Sequence, residues 1–294
     1  MKKKTFNLLC LPAVGSMDEV VEKFDAPINL VRGDYQKLEF IFQNQSLEIL
    51  HQGVDLNSFS FVWLSSNWNN RGSAYGVELY LKKFGVLASK VEKNTSKITD
   101  YIVFALHNIP IPDTYFIDSR EIKKSLGKIK EVCGYPLIVK DTKGYGGAFS
   151  MYIETEKDLV REVKKLPANK KYFFQKFIPN DYDWGILVAN GVVVSGEKSY
   201  PAKGEFRNNA CNGGKEVFVR VDKIPQEVKE IALSASHLLG LSWARADIAI
   251  DKITGKPYLL EVNRYPGVTS KSQEVSGAYK FLSSHINALL EKTL

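Results

Sequence analysis

Two runs near the C-terminal end, "WARADIAI" at 243–250 and "YLLEVN" at 258–263, constrain the fold more than any other part of the chain. Both read as strands. The segment between them, "DKITGKP", holds Asp, Gly and Pro, so an antiparallel hairpin is expected. With the turn centred on Thr254, Ile250 faces Tyr258, Ile248 faces Leu260 and Ala246 faces Val262, and these pairs build one apolar face. The opposite face sets Asp247 against Glu261 and Arg245 against Asn263. A slip of one residue would mix the two sets, so the pattern itself selects the register.

The polar face poses a physical problem. Two carboxylates directly opposite each other repel. Arg245 offsets part of that repulsion. A hard divalent ion offsets more, because Mg²⁺ takes carboxylate and amide oxygens and accepts phosphate oxygens as well. Glu261 and Asn263 point the same way because strand side chains alternate. The plain alternative is a solvated sheet face with a surface ion pair, and the hairpin alone leaves both readings open.

The rest of the chain narrows the choice. Its 294 residues suit two domains or one large α/β domain. Lys and Arg number 40 against 33 Asp and Glu, a net +7 spread along the sequence. That excess fits anionic ligands such as nucleotides, and equally a generic basic surface. No arginine-rich arm or zinc-finger spacing is present, which speaks against nucleic acid. The three cysteines, Cys10, Cys133 and Cys211, have neither metal nor redox spacing, so a reducing cytoplasm is expected. No apolar stretch approaches the ~20 residues of a membrane helix. The basic start, "MKKKTFNLLCLP", reads as a first strand and not as a leader, since Pro12 interrupts its short apolar run.

The first ninety residues read as a small α/β unit. "FNLLCL" and "SFVWLS" are strands, and "LEFIFQ" and "SLEIL" flank a hairpin turn. "AYGVELYLKKFG" places Val77, Tyr80, Leu81 and Phe84 on one helical face, with Gly85 closing it. A new segment opens near Asn94. Its helix, capped by Thr95 or Ser96, is expected to bury Ile98, Ile102, Ala105 and Leu106. "SREIKKSLGKIKEVCG" reads as one helix capped by Ser119. "PLIVKDTKGYGG" is a buried strand running into a glycine-rich loop. "YFFQKFI" and "WGILVANGVVVSGEK" are strands, with a hairpin at Asn190-Gly191. A helix between Pro225 and Gly240 precedes the two diagnostic strands, and a C-terminal helix follows them.

With the whole order in view, "ADIAI…YLLEVNRYPG" resembles the metal-binding end of ATP-grasp enzymes, in particular ligases similar to the ribosomal-protein glutamate ligase (RimK-like). Further segments match in sequence order: "TSKI" the early lysine site, "YPLIVKDTKGYGG" the second lysine strand and flexible loop, "FFQKFIPNDYDWGILV" the strand against which adenine rests, and "GEFRNN" the arginine loop. The likeness covers roughly residues 93–270. It implies an α/β (α+β) fold: a small Rossmann-like N-terminal α/β domain at 1–92, then two α+β subdomains clasping ATP, at 93–172 with the glycine-rich loop and at 173–294 with the metal site.

Residue by residue, the resemblance implies Lys97 and Lys140 on ATP phosphates and Gly144, Gly146 and Gly147 in the phosphate loop. Gln175, Phe177 and Ile178 fall beside adenine, and Asp183 on ribose with Asp181 its rival. Asp247, Glu261 and Asn263 become ligands of Mg²⁺, two ions with Glu261 bridging, or of Mn²⁺. Arg207, assisted by Asn209, would stabilise the transferring phosphoryl group, and Arg245 and Arg264 become candidate contacts for a substrate carboxylate. Many relatives carry an acid where Gln175 stands, and often an Arg where Gly185 stands. The implied chemistry is ATP- and Mg²⁺-dependent joining of small-molecule or peptide carboxylates and amines through an acyl phosphate. A small-molecule kinase and a non-catalytic ATP-binding regulator are the alternatives on the same scaffold. Self-association is left open, as is an acceptor pocket around Trp68 and Arg71 in "SSNWNNRGSAYG", which reads more simply as a helix-entry loop.

Overall fold

The computed structural model describes residues 5–44, 46–144, 150–167, 170–208 and 213–291. The N-terminal part contains β1 (Phe6–Leu11), α1 (Met17–Val21), β2 (Ile28–Arg32), β3 (Leu38–Gln43), β4 (Ser46–His51), β5 (Val54–Asp55), β6 (Phe61–Leu64), α2 (Arg71–Lys83) and β7 (Leu87–Ala88). A sheet in the order β2-β1-β6-β7 is parallel throughout. The connections that return the chain for parallel pairing carry α1, α2 and a separate antiparallel sheet of β3, β4 and β5. The expected β3–β4 hairpin is therefore present, outside the main sheet. On α2, Val77, Tyr80 and Leu81 are buried as expected, but Phe84 lies past the last helical residue and is exposed.

The middle part holds α3 (Lys97–Leu106), β8 (Thr114–Phe116), α4 (Leu126–Cys133), β9 (Leu137–Asp141), β10 (Ser150–Ile153), α5 (Glu156–Val163) and β11 (Tyr172–Lys176). Its sheet runs β10-β9-β11-β8, antiparallel, and rests on its own core of Ile129, Cys133, Leu137, Val139, Leu159 and Phe174 with their neighbours. All of β11 pairs within this sheet, so the first structural half extends to Lys176, beyond the expected break at 172/173.

Two helix expectations are corrected here. The single helix from Ser119 is a 3₁₀ turn over Ser119–Lys124, capped by Asp118, followed after Ser125 by α4. The buried face of α3 is Lys97, Asp100, Tyr101 and Phe104, while Ile102 and Leu106 lie in solvent. Apolar periodicity chose the wrong face because this helix buries polar groups that find partners on a neighbouring strand. Its start follows expectation, with Ser96 and Thr99 forming a capping box.

The C-terminal part holds β12 (Asp183–Ala189), β13 (Val192–Tyr200), β14 (Lys215–Phe218), α6 (Gln226–Leu238), β15 (Trp243–Ile250), β16 (Pro257–Asn263) and α7 (Ser272–Glu291). Asn190 and Gly191 both take positive φ, 45° and 75°, the geometry a two-residue hairpin needs. In the sheet β14-β13-β12-β15-β16, one face carries Trp184, Ile186, Val188, Ala244, Ala246 and Ile248 onto α6. The other face is divided. Leu187, Ala189 and Trp243 join Leu8, Phe61 and Trp63 of the N-terminal sheet and Phe281 of α7 in one shared core. The remaining stretch of that face, with Asp183, Arg245, Asp247 and Glu261, lines a cleft.

Candidate active site

The hairpin of β15 and β16 has the expected register where the polar residues sit: Arg245 opposite Asn263, Ala246 opposite Val262, Asp247 opposite Glu261. Beyond Asp247 the register shifts, so Ile248 faces Leu259, Ala249 faces Tyr258 and Ile250 faces Pro257. The expected pairs Ile248–Leu260 and Ile250–Tyr258 are thus corrected by a bulge that leaves Leu260 as the extra residue. The bulge has a packing reason. Leu259 and Val262, three apart, are both buried in the α6 core, which strict alternation forbids. Leu260 and Glu261 consequently both line the cleft.

Ten residues chosen from the sequence line this same cleft: Lys97, Lys140, Gln175, Phe177, Ile178, Asp183, Arg207, Arg245, Asp247 and Glu261. They come from α3, the middle sheet, the connection after β11, the start of β12, the loop before β14 and both strands of the hairpin. Lys97 Nζ lies 2.8 Å from Glu261 Oε2. Burial alone would raise the Glu261 carboxyl, but Lys97 and then Lys140 bring it below its ordinary value. Asp247 goes the other way, pushed up chiefly by burial and also by Glu261, against the pull of Arg245. Of the opposed carboxylates, Glu261 is the one nearer to a lysine ammonium. Burial, with Lys97 nearby, lowers the Lys140 ammonium to about 8.

A chain of hydrogen bonds ties Lys140 to the bulge. Lys140 Nζ donates to Gln175 Oε1 at 2.7 Å, Gln175 Nε2 donates to the Tyr101 hydroxyl at 2.6 Å and to Thr114 Oγ1 at 3.1 Å, and Tyr101 donates to the Leu260 carbonyl at 2.8 Å. Every polar atom of Gln175 is engaged inside the protein. Tyr101 was missed from the sequence, where it is one aromatic in an apolar helix. Its signal lay in a helical position shared with Lys97.

Asp183 is raised to about 6, first by burial, against hydrogen bonds from Asn208 and Asn180. Its rival Asp181 is largely exposed, 3.9 Å from Lys252, and lies outside the cleft lining. Arg207 lines the cleft while its guanidinium grips Glu205, Nε to Oε1 at 3.0 Å and Nη2 to Oε2 at 2.6 Å. Asn180, Ser199, Asn208 and Phe206 also line the cleft and were not singled out. Asn208 sits inside the quoted "GEFRNN" and Asn180 three residues before Asp183, so both were within reach of the same motifs.

Other expected residues stand apart. Asn263 is exposed, and its Oδ1 accepts the Tyr265 amide at 3.0 Å. Gly144 is buried, donating to the Asp141 carbonyl, and does not line the cleft. Gly146, Gly147 and Asn209 lie outside the described residues. Arg264 is corrected as a substrate contact. It is 4 % exposed, binds both Asp100 oxygens at 2.6 and 2.7 Å, and pairs with Glu92. Arg71 pairs with the same Glu92, and both guanidiniums stack on Trp68. Trp68 and Arg71 therefore belong to a buried ionic network joining the N-terminal part to the end of β16.

The donor chemistry of the hairpin fits a hard divalent cation. Asp247 and Glu261 are opposed, half-buried oxygen donors, and the positive charge near Asp247 does not hold its carboxyl at the usual value. Arg245 and Lys97 already bond one oxygen of each. Among the described residues no group of three or more acidic, His or Cys side chains converges, so the remaining ligands of such an ion would come from Asn263, solvent and a phosphate-bearing ligand.

Comparison with known proteins agrees with this geometry. Residues 94–282 match the family described as "RimK-like ATP-grasp domain". A probable alpha-L-glutamate ligase of Syntrophotalea carbinolica is 30% identical over 211 residues, covering 69% of this chain and 68% of that protein. Another from Aeromonas salmonicida is 30% identical over 232 residues, covering 76% of each. For a Parasynechococcus marenigrum relative the match spans only 41% of its length, at 33% identity. Among solved structures, D-alanyl-alanine synthetase A of Vibrio cholerae superposes with a TM-score of 0.68 at 14% identity, covering 97% of this chain and 98% of that one. The ATP-grasp ligase PsnB, complexed with minimal precursor, Mg and ADP, gives 0.66 at 14% identity, covering 95% and 96%. At such identities the structural likeness speaks to the fold.

Proposed function

The chain belongs to the RimK-like ATP-grasp family, and we infer that it is an ATP-dependent ligase that joins a carboxylate to an amine. The observation that carries this reading is the convergence of Lys97, Lys140, Asp183, Arg207, Asp247 and Glu261 on one cleft between two sheets. A carboxylate and an amine do not condense unaided in water. In the proposed route a carboxylate oxygen bonds to the γ-phosphorus of ATP while the bond from that phosphorus to the β,γ-bridging oxygen breaks, releasing ADP. The amine then bonds to the acyl carbon, inorganic phosphate leaves with the C–O electron pair, and the amine proton passes to solvent.

Such phosphoryl transfer needs positioning and charge neutralisation more than covalent help from the protein. Lys97 and Lys140 supply compact cations for the phosphates. The Gln175 amide and Tyr101 hold Lys140 relative to β16, so its ammonium need not reorganise as charge shifts. Phe177 and Ile178 offer the apolar wall and backbone edge for a base, and Asp183 faces the same space with a carboxylate for hydroxyls. Asp247 and Glu261, with Asn263, would hold Mg²⁺, which when bound neutralises phosphate charge and orients the γ-phosphoryl group. The family implies ATP with a divalent metal; two Mg²⁺ ions bridged by Glu261 are our finer reading, with Mn²⁺ as a substitute. Arg207, held by Glu205, would contact the phosphoryl oxygens.

L-Glutamate is the first substrate to try, since the curated relatives are named for it. The buried free thiols of Cys10 and Cys133 support a reducing cytoplasm. The test is a coupled ADP-release screen over acids and amines, with mass spectrometry of the products and Glu261→Gln as control. ADP and phosphate that appear only with both substrates support the ligase. ADP without free phosphate points instead to a kinase, and tight ATP binding with no turnover points to a regulator.

A further inference from the structure

Arg207 sits between two anchors that belong to different sheets. Asn208, the residue after it, hydrogen-bonds Asp183 at the start of β12 in the C-terminal sheet. Phe206, the residue before it, meets the middle sheet, where its ring lies 5.7 Å from that of Tyr152 on β10 at an interplanar angle of 31°. Tyr152 in turn meets Phe177 edge-on, at 5.1 Å and 85°. The guanidinium carbon of Arg207 stands 5.4 Å from the centre of the Phe206 ring. A run of three rings thus leads from the wall proposed for the base to the arginine proposed for the phosphoryl oxygens.

The link between Phe206 and Arg207 is stiff. Glu205 Oε1 accepts the Phe206 amide at 2.9 Å, the Arg207 amide at 3.1 Å and Arg207 Nε at 3.0 Å, while Oε2 accepts Nη2 at 2.6 Å. One carboxylate holds both residues, so a shift of Phe206 carries the guanidinium with it. The place of Tyr152 supplies the frame. On β10 and β9, Ser150 faces Lys140 and Tyr152 faces Ile138. Ser150, Lys140 and Ile138 line the cleft, and Tyr152 shares their face by strand alternation. Tyr152 does not itself line the cleft; it touches Phe177 and Phe206, which do. Lys140 and Tyr152 ride on one sheet with its own core, so the ring contact fixes Arg207 relative to Lys140. Two cations that serve one phosphoryl group act together only at a set spacing, and aromatic pairs keep preferred tilted and edge-on geometries.

We propose that Tyr152 is a positioning residue for Arg207: packed against Phe206, it sets the guanidinium at the phosphoryl end of the nucleotide. The proposal rests on the ligase reading above.

The test reads what the γ-phosphoryl group adds to nucleotide binding, which requires neither the acid nor the amine. Equilibrium Kd values are measured on the full chain for Mg·ADP and for Mg²⁺ with the β,γ-imido analogue of ATP, and the readout is the ADP value divided by the analogue value. Tyr152→Leu is expected to cut this ratio about fivefold or more, with the Mg·ADP Kd within about twofold of wild type. Arg207→Ala should cut the ratio at least as far. Tyr152→Leu added to Arg207→Ala should change nothing further, since the ring acts only through the guanidinium. Tyr152→Phe keeps the ring and should restore the wild-type ratio. Phe206→Leu breaks the same contact from its other side and carries the test if Tyr152→Leu does not fold. A ratio within about twofold of wild type in the leucine variants, or a full further drop in the double variant, would overturn the assignment. So would a loss in Tyr152→Phe as large as in Tyr152→Leu, or a wild-type protein that binds the analogue no tighter than ADP. If the wild-type protein binds neither nucleotide, the ligase reading itself fails and the assignment falls with it.

Discussion

Replacing Tyr101 by Phe isolates one hydroxyl. The ring is 6 % exposed and packs 5.5 Å from Phe173, a contact the substitution keeps. The hydroxyl donates to the Leu260 carbonyl and accepts from Gln175. Its removal leaves a carbonyl and one amide hydrogen unpaired in the interior, while Thr114 still holds the other Gln175 hydrogen. Each such group costs about 1–3 kcal/mol, so a total of about 2–4 kcal/mol is expected after local relaxation. With a urea m-value of about 3 kcal/mol/M, that lowers the unfolding midpoint by about 1 M. The functional effect follows from the freed carbonyl. It belongs to the bulge residue beside Glu261, so ADP release should fall about tenfold or more as the carboxylate loses its fixed place. The checks are urea unfolding followed by tryptophan fluorescence, and coupled ADP release under saturating ATP. A midpoint within about 0.2 M of wild type, with unchanged turnover, would refute the idea that this chain of bonds positions the site.

Glu261→Gln should reduce ADP release by about two orders of magnitude and raise the Mg²⁺ concentration for half-maximal rate, read from a metal titration. Arg264→Ala strands the Asp100 carboxylate in the interior, leaving Glu92 to Arg71, and should cost about 3–5 kcal/mol in denaturant unfolding, whereas Arg220→Ala, which removes an exposed pair with Asp222, should leave the midpoint unmoved. His51 is buried, its Nε2 accepts the Asp34 amide, and burial followed by Lys37 lowers its pKa. A depressed folded value means stability is whole above the unfolded pKa of 6.5 and is lost as pH falls through the folded value. Unfolding midpoints at descending pH should therefore drop in wild type and drop less in His51→Gln, which keeps an acceptor that does not titrate.

Much of the site was readable because strand geometry ties side-chain direction to sequence parity. The opposition of Asp247 and Glu261 followed from an alternating pattern on either side of a turn, and the register held where the polar residues sit. It broke one residue further on, because two core leucine-sized positions three apart needed a bulge that no local rule announces. The burial of α3 was misread for a related reason. Hydrophobic periodicity looks for apolar partners, but Lys97, Asp100 and Tyr101 go inside on the strength of Glu261, Arg264 and the Leu260 carbonyl, all about 160 residues away. Arg264 looked like a ligand contact beside a metal strand, and only its distant partners reveal a structural ion pair. Motif resemblance found the lysines and acids that touch the cleft, and missed Tyr101 and Asn180, which act through neighbours.

The shared core of Leu8, Phe61 and Trp63 with Leu187, Trp243 and Phe281 decides which part of the molecule can swing. The N-terminal sheet and the sheet bearing the acidic hairpin are welded through it, whereas the middle sheet sits on a separate apolar nucleus. Any widening of the cleft is therefore expected to move the middle sheet against that joined body and not to part the two sheets that share a core. The same weld means that a fragment lacking the first ninety or so residues would bare Trp243 and Phe281 to water, so the unit that holds the chemistry is not separable from the one in front of it.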